Sequence, residues 1–204
     1  MKTQILYIHG GDAFTNYENF LEILRTEPID DPFNTEARKK WKEKLKIECG
    51  GQADILLPSM PNKQNAKYTE WKIWFERYFE YLTGEVILIG HSQGGYFLAK
   101  YLTENDVPFP INALFLVSAP FEPRVGEKED GGDFNFDTQK LQNLANVSQN
   151  IVIFHSEDDV VVPYTHGISY KNALPSANFI SFTDRGHFIG PEFPEIIEEI
   201  RKIL

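Results

Sequence analysis

Cysteine occurs once in the 204 residues, at Cys49. That excludes an internal disulfide and every metal centre built on several thiolates. Such sparing use of thiols fits a reducing compartment, so a cytoplasmic location is expected. Long apolar runs are also missing, and no stretch approaches the roughly 20 residues of a membrane-spanning helix. Near the start, Lys2 is followed only by Ile5, Leu6, Tyr7 and Ile8 before His9-Gly10-Gly11. That is too short for the apolar centre of a signal peptide and reads as a first strand. Basic residues are the minority, 20 Lys+Arg against 30 Asp+Glu, for a formal net charge of -10. A chain so acidic repels phosphate backbones and anionic lipid, which counts against nucleic-acid and membrane partners. The lysine-dense stretch at residues 38–46 alternates its bases with apolar positions and glutamates, as the wet face of a helix does. The glycines of His9-Gly10-Gly11-Asp12 do not form G-x-G-x-x-G and no phosphate-loop lysine follows, so nucleotide binding is unsupported. The five histidines are too scattered for a metal site. No cofactor is expected.

What is present points to one α/β domain spanning residues 1–204. Short apolar runs near residues 5–8, 53–57, 86–89, 113–117, 151–154 and 178–182 alternate with stretches of helical composition. That order predicts a three-layer sandwich around a six-stranded, mostly parallel sheet. Helices are expected at residues 13–25 with Asn16 or Thr15 as cap, after a Thr35 cap with Ala37, Trp41 and Leu45 on one face, and at residues 194–204. The strongest helical pattern covers residues 70–82, where Trp71, Trp74, Phe75, Tyr78, Phe79 and Leu82 form one broad apolar face. Packing on the sheet is its simplest use.

In a parallel sheet the working residues gather in the loops leaving the carboxyl ends of the strands. The third strand runs into Gly90-His91-Ser92-Gln93-Gly94, a G-x-S-x-G pattern between strand and helix. A nucleophile standing clear of the sheet sits on a sharp turn, and its neighbours two before and two after must be nearly free of side chain. The fifth strand exits into Asp158-Asp159 and the sixth into His187. Serine, aspartate, histidine is the chain order of an α/β-hydrolase triad. A serine hydroxyl needs a neighbouring base, histidine supplies it near neutral pH, and a carboxylate fixes the imidazole tautomer. Either aspartate could serve. The Gln93 N–H, at the start of a helix, and the Gly11 N–H are the natural oxyanion donors. Of the other histidines, His9 reads as a brace for the loop it begins, and His91 as pointing away from Ser92. His155 and His166 read as structural.

With these motifs the chain resembles the small single-domain α/β-hydrolases of the retinoblastoma-binding-protein-9-like type and their bacterial YdeN-like relatives. The segments ILYIHGG, ADILLPSMPN, VILIGHSQGG, LFLVSAP, IVIFHSEDDVVVP and DRGHF carry the resemblance. It implies six strands without a large cap domain, with Ser92 as nucleophile and His187 as base. It also implies Asp159, four residues before Pro163, as the acid, with Asp158 the alternative. His155 stands where the superfamily often has glycine. The activity implied is hydrolysis of a small ester or thioester through an acyl-enzyme. A peptidase or amidase on the same triad and a protein-binding module are the rivals, though no feature of the sequence supports a protein partner. Residues 118–137, with Phe121, Phe134, Phe136 and six acids against two bases, are the nearest thing to a lid. Their acidity leads us to expect neutral substrates to be preferred over anionic ones.

Overall fold

The computed structural model describes residues 2–29, 33, 40–122 and 129–204. Its sheet contains β1 (Thr3–Ile8), β2 (Ala53–Leu56), β3 (Val86–His91), β4 (Ile111–Val117), β5 (Ile151–Ser156) and β6 (Asn178–Phe182). The spatial order is β2-β1-β3-β4-β5-β6, with every neighbouring pair parallel. Because side chains alternate along a strand, each central strand feeds two cores. Leu6, Ile8, Leu88, Leu114, Leu116 and Ile153 enter one. Ile5, Tyr7, Ile87, Ile89, Phe115 and Phe154 enter the other. The expected continuous apolar runs are thus explained, since both faces are covered.

The first core is closed by α3 (Tyr68–Glu76), α4 (Gln93–Glu104), α5 (Leu144–Val147) and α6 (Tyr164–Ala173), and the second by α2 (Trp41–Cys49) and α7 (Pro194–Arg201). This is a compact three-layer α/β fold, and no large cap domain is present among the described residues. None of the described helices is long and apolar enough to cross a membrane.

Several elements differ from their sequence pattern. The first helix, α1, runs only from Tyr17 to Thr26 because the Asn16 side chain accepts the Glu18 N–H and sets its start. It buries no residue fully, and Tyr17 and Leu24 face solvent. Thr35 and Ala37 lie outside the described residues, while Trp41, Leu45 and Cys49 share the inner face of α2, as their four-residue spacing allows. The aromatic helix is shorter than its pattern: α3 stops at Glu76, and a 3-10 turn at Phe79–Tyr81 carries the remainder. Trp71 and Phe75 meet Phe97 edge-on at 5.8 and 5.3 Å, while Trp74 stays partly exposed with the Arg77 guanidinium 5.7 Å from its ring centroid. The helix is therefore a packing element.

Around residues 118–137 the aromatic side chains face inward. Phe134 is fully buried against Trp71 and Tyr68, Phe121 packs on Tyr170, and Phe136 on Tyr96. Residues 123–128 lie outside the described residues. Truncating Phe134→Ala is expected to cost about 3–5 kcal/mol of unfolding free energy, measured by urea denaturation. An unchanged midpoint would show that this turn is not part of the core.

Candidate active site

Strand order reverses at β1, whose neighbours β2 and β3 both follow it in sequence. Such a reversal sends successive connections to opposite faces and opens a crevice at the carboxyl ends of the strands. The 9–12 loop leaves β1 at this crevice and Ser92 leaves β3. Ser92 has φ 53° and ψ -125°, a strained combination for a residue with a side chain. It is held there because its N–H donates to the Val117 carbonyl at 2.8 Å while its own carbonyl accepts from Gly95 and Tyr96. Gly90 permits the turn, since a Cβ there would lie 2.5 Å from the Gly95 Cα. Gln93 is the first residue of α4, where backbone N–H groups have no intrahelical acceptor.

Opposite Ser92, a Cβ on Gly10 would come 3.0 Å from the Ser92 Cβ, so the loop backbone lies directly against the serine. Gly11 is confined on its other side, with the Lys63 carbonyl oxygen 2.6 Å from where its Cβ would stand. The Asp12 N–H donates to the Lys63 carbonyl, and the Asp12 carbonyl accepts from Ala66, both at 2.8 Å. His9 completes the support. Its Nε2 accepts from the Met60 N–H at 2.8 Å, which leaves Nδ1 to donate to the Gly10 carbonyl. That is the bracing role read from the sequence.

The two aspartates separate cleanly. Asp159 is buried, and its carboxylate lies 2.9 and 3.1 Å from His187 Nδ1. Its Oδ1 also accepts the Val161 and Val162 N–H groups at 2.9 Å each. Burial alone would raise its pKa, but the His187 contact and the Val162 N–H prevail and hold it below the ordinary carboxylate value. Asp158 points elsewhere, accepting from the Ser156 hydroxyl and, at 2.9 Å, from the Gly186 N–H. The first of these bonds is the main reason its pKa is lowered. The Gly186 bond ties this loop to the one that carries His187.

That histidine loop is fixed by two residues whose sequence pattern does not point to this role. His91 Nε2 donates to the His187 carbonyl at 2.8 Å, and the Trp41 indole N–H donates to the Phe188 carbonyl at 2.9 Å. Phe188 itself has φ 52°, so this hold sustains an unfavourable backbone. Arg185 pairs with Glu195 of α7. His91 does turn away from Ser92, but towards His187. A period-two strand could have revealed this, because His91 must face opposite to Gly90; nothing in the sequence marks Trp41. His155 similarly donates through Nε2 to the Val162 carbonyl at 2.9 Å, and His166 Nδ1 accepts from Phe121 N–H at 2.9 Å. Burial lowers the pKa of His9, His91 and His155, that of His91 to about 3 with a further contribution from His187.

Ser92, His187 and the 9–12 loop border one cleft of about 280 Å³, whose other walls include Tyr7, Trp41, Val161 and Ile189. Of the described part of residues 118–137, Glu129 alone reaches it.

Comparison with known proteins then identifies the family. The model of the family described as serine hydrolase matches residues 33–192. The chain belongs to that family. It is 28% identical over 149 residues to the serine hydrolase RBBP9 of Rattus norvegicus, covering 73% of this chain and 77% of the rat protein. It is 25% identical over 154 residues to the YdeN protein of Bacillus subtilis, covering 74% of this chain and 78% of that protein. The crystal structure of the B. subtilis ydeN gene product superposes over 100% of this chain and 98% of its own with a TM-score of 0.74 at 17% identity. Est1E from Butyrivibrio proteoclasticus, solved with ferulic acid, superposes with a TM-score of 0.62 at 14% identity over 98% of this chain and 87% of its own. These structural likenesses show the fold.

The buried histidines give the serine hydrolase an acid sensitivity of calculable sign. A histidine whose folded pKa lies below its unfolded value near 6.5 takes up a proton on unfolding. Its stabilising contribution is complete above pH 6.5 and is lost as the pH falls below it. His91 alone should therefore contribute up to about 1.4 kcal/mol per pH unit to the slope of stability between pH 6 and 5. Urea denaturation across this range should show stability falling with pH, and His91→Gln should reduce the slope by close to one proton. A flat wild-type profile would contradict the neutral state of these rings.

Proposed function

We propose that this serine hydrolase cleaves a small carboxylic ester or thioester through an acyl-enzyme on Ser92. The observation that carries the reading is the buried Asp159–His187 contact at 2.9 Å, beside a serine held at φ 53° on the wall of the same cleft. With Nδ1 bonded to Asp159, His187 Nε2 is the basic nitrogen. It takes the Ser92 Oγ proton as the oxygen attacks the carbonyl carbon, then delivers that proton to the departing alcohol or thiol. Water, activated by the same nitrogen, releases the acid and restores Ser92. The Gln93 and Gly11 N–H groups are assigned to the oxyanion, which develops only as the tetrahedral state forms. Asp158 keeps the histidine loop in place and does no chemistry. The cleft volume of about 280 Å³ favours a small substrate, since it lies at the lower end of ligand pockets.

Intact-mass measurement after reaction with a fluorophosphonate should show one adduct on the wild type and none on folded Ser92→Ala. Asp159→Asn should lower kcat on a small ester by about a thousandfold or more, whereas Asp158→Asn should retain most activity. Labelling that persists without Ser92, or equal losses for both aspartate variants, would overturn the assignment.

A further inference from the structure

The described part of the 38–46 stretch, from Lys40 onward, does not lie wholly in solvent. Lys40 and Lys42 line the cleft that holds Ser92 and His187. Lys42 belongs to the first turn of α2, next to Trp41, whose indole fixes the backbone beside His187. Its ammonium is half-buried, 5.6 Å from the centre of the Tyr7 ring, and Tyr7 lines the same cleft. Three other cations have carboxylate partners: Lys44 pairs with Glu192, Arg185 with Glu195, and Arg201 with Glu48. Among the described residues neither Lys40 nor Lys42 has a carboxylate within ion-pair distance. Asp12 and Glu129 also line the cleft, and each has interactions of its own. The charges that bear most on Lys42 are those of Lys63, Glu43 and Lys40, two cations against one anion.

We propose that this cleft selects substrates carrying a carboxylate near the scissile acyl bond, with the Lys42 ammonium as its counter-ion and Lys40 adding to the field. The inference rests on the serine hydrolase mechanism above and specifies its substrate class. A lysine held by a ring face and repelled by its neighbours loses water without gaining an anion, so an incoming carboxylate completes its coordination. Burial, first, and then Lys63 lower the Lys42 pKa, as expected of a cation lacking a counter-charge. Its charge also reaches His9 and His91, both on the cleft wall, although at His91 the Asp159 carboxylate acts more strongly in the opposite direction. Such selectivity reverses the preference expected from the acid surplus of residues 118–137.

The test uses two fluorophosphonates with alkyl chains of equal length, one ending in a methyl group and one in a carboxylate. Second-order labelling rates of Ser92 are measured by intact mass at low and high salt. The carboxylate probe should react faster with the wild type, and the advantage should shrink with added salt. The ratio of the two rates should fall about tenfold in Lys42→Gln and return in Lys42→Arg. If both probes label Ser92 but the methyl probe is equal or faster, or Lys42→Gln leaves the ratio unchanged, the anion selectivity is wrong and the hydrolase reading stands. If neither probe labels the folded protein, that reading falls and the selectivity with it.

Discussion

Everything at the site depends on how near the first turn of α4 comes to the ends of β1 and β3. A Cβ on Gly94 would lie 2.2 Å from the Ile8 carbonyl oxygen and 2.6 Å from that of His9. No side chain fits there, so the helix start is wedged against the strand from which the 9–12 loop departs. This approach forces the backbone at Ser92 into its strained conformation, because the chain must leave β3 and enter the helix within one residue. It also brings the N–H groups at the helix start to the same crevice as the glycines after β1. Serine and donors are therefore consequences of one packing contact, and they cannot be varied separately.

A second regularity is the use of neutral histidines as braces. His9 follows β1, His91 ends β3 and His155 lies near the end of β5. Each donates to a loop carbonyl, those of Gly10, His187 and Val162 respectively. A buried imidazole is well suited to this, since it is rigid, carries one directed donor and, when neutral, costs less to bury than an ionised group. The loops at the carboxyl ends of the strands are thereby locked to the sheet, as a preorganised site requires. The same burial makes the braces sensitive to acid, so the precision of the loops and the pH range of the fold have one cause.

How much of this was legible in the sequence depends on the range of the interaction. Strand positions and both cores follow from apolar runs, whose alternation needs only local geometry, and the Ser92 turn follows from glycine sterics. The end of α3 did not, because the apolar pattern continues through Tyr78 and Phe79 although the backbone changes to a 3-10 turn. Nor did local pattern distinguish Asp158 from Asp159. Adjacent residues at a turn point in different directions, and Val161 and Val162 decide which carboxylate is turned inward. Trp41 was read correctly as an inward face of a helix, but its indole bond to Phe188 spans 147 residues of sequence. That Phe121, Phe134 and Phe136 turn inward onto Tyr170, Trp71 and Tyr96 is not visible in composition either, because composition records apolarity and not direction.

Charge shows the same limit most clearly. A net charge of -10 is a property of the whole chain, and at physiological ionic strength it is screened beyond roughly 8 Å. A substrate already inside the cleft feels the groups within that distance; Asp12 and Glu129 are among them, while around the Lys42 ammonium Lys63 and Lys40 outweigh Glu43. The helix start at Ser92 adds unsatisfied N–H groups of the same sign. Global acidity can keep the chain away from polyanions while the crevice itself favours a small anion, because the two effects act at different distances. Composition therefore bears on long-range encounters with other macromolecules. The side chains of one helical turn bear on what enters the site.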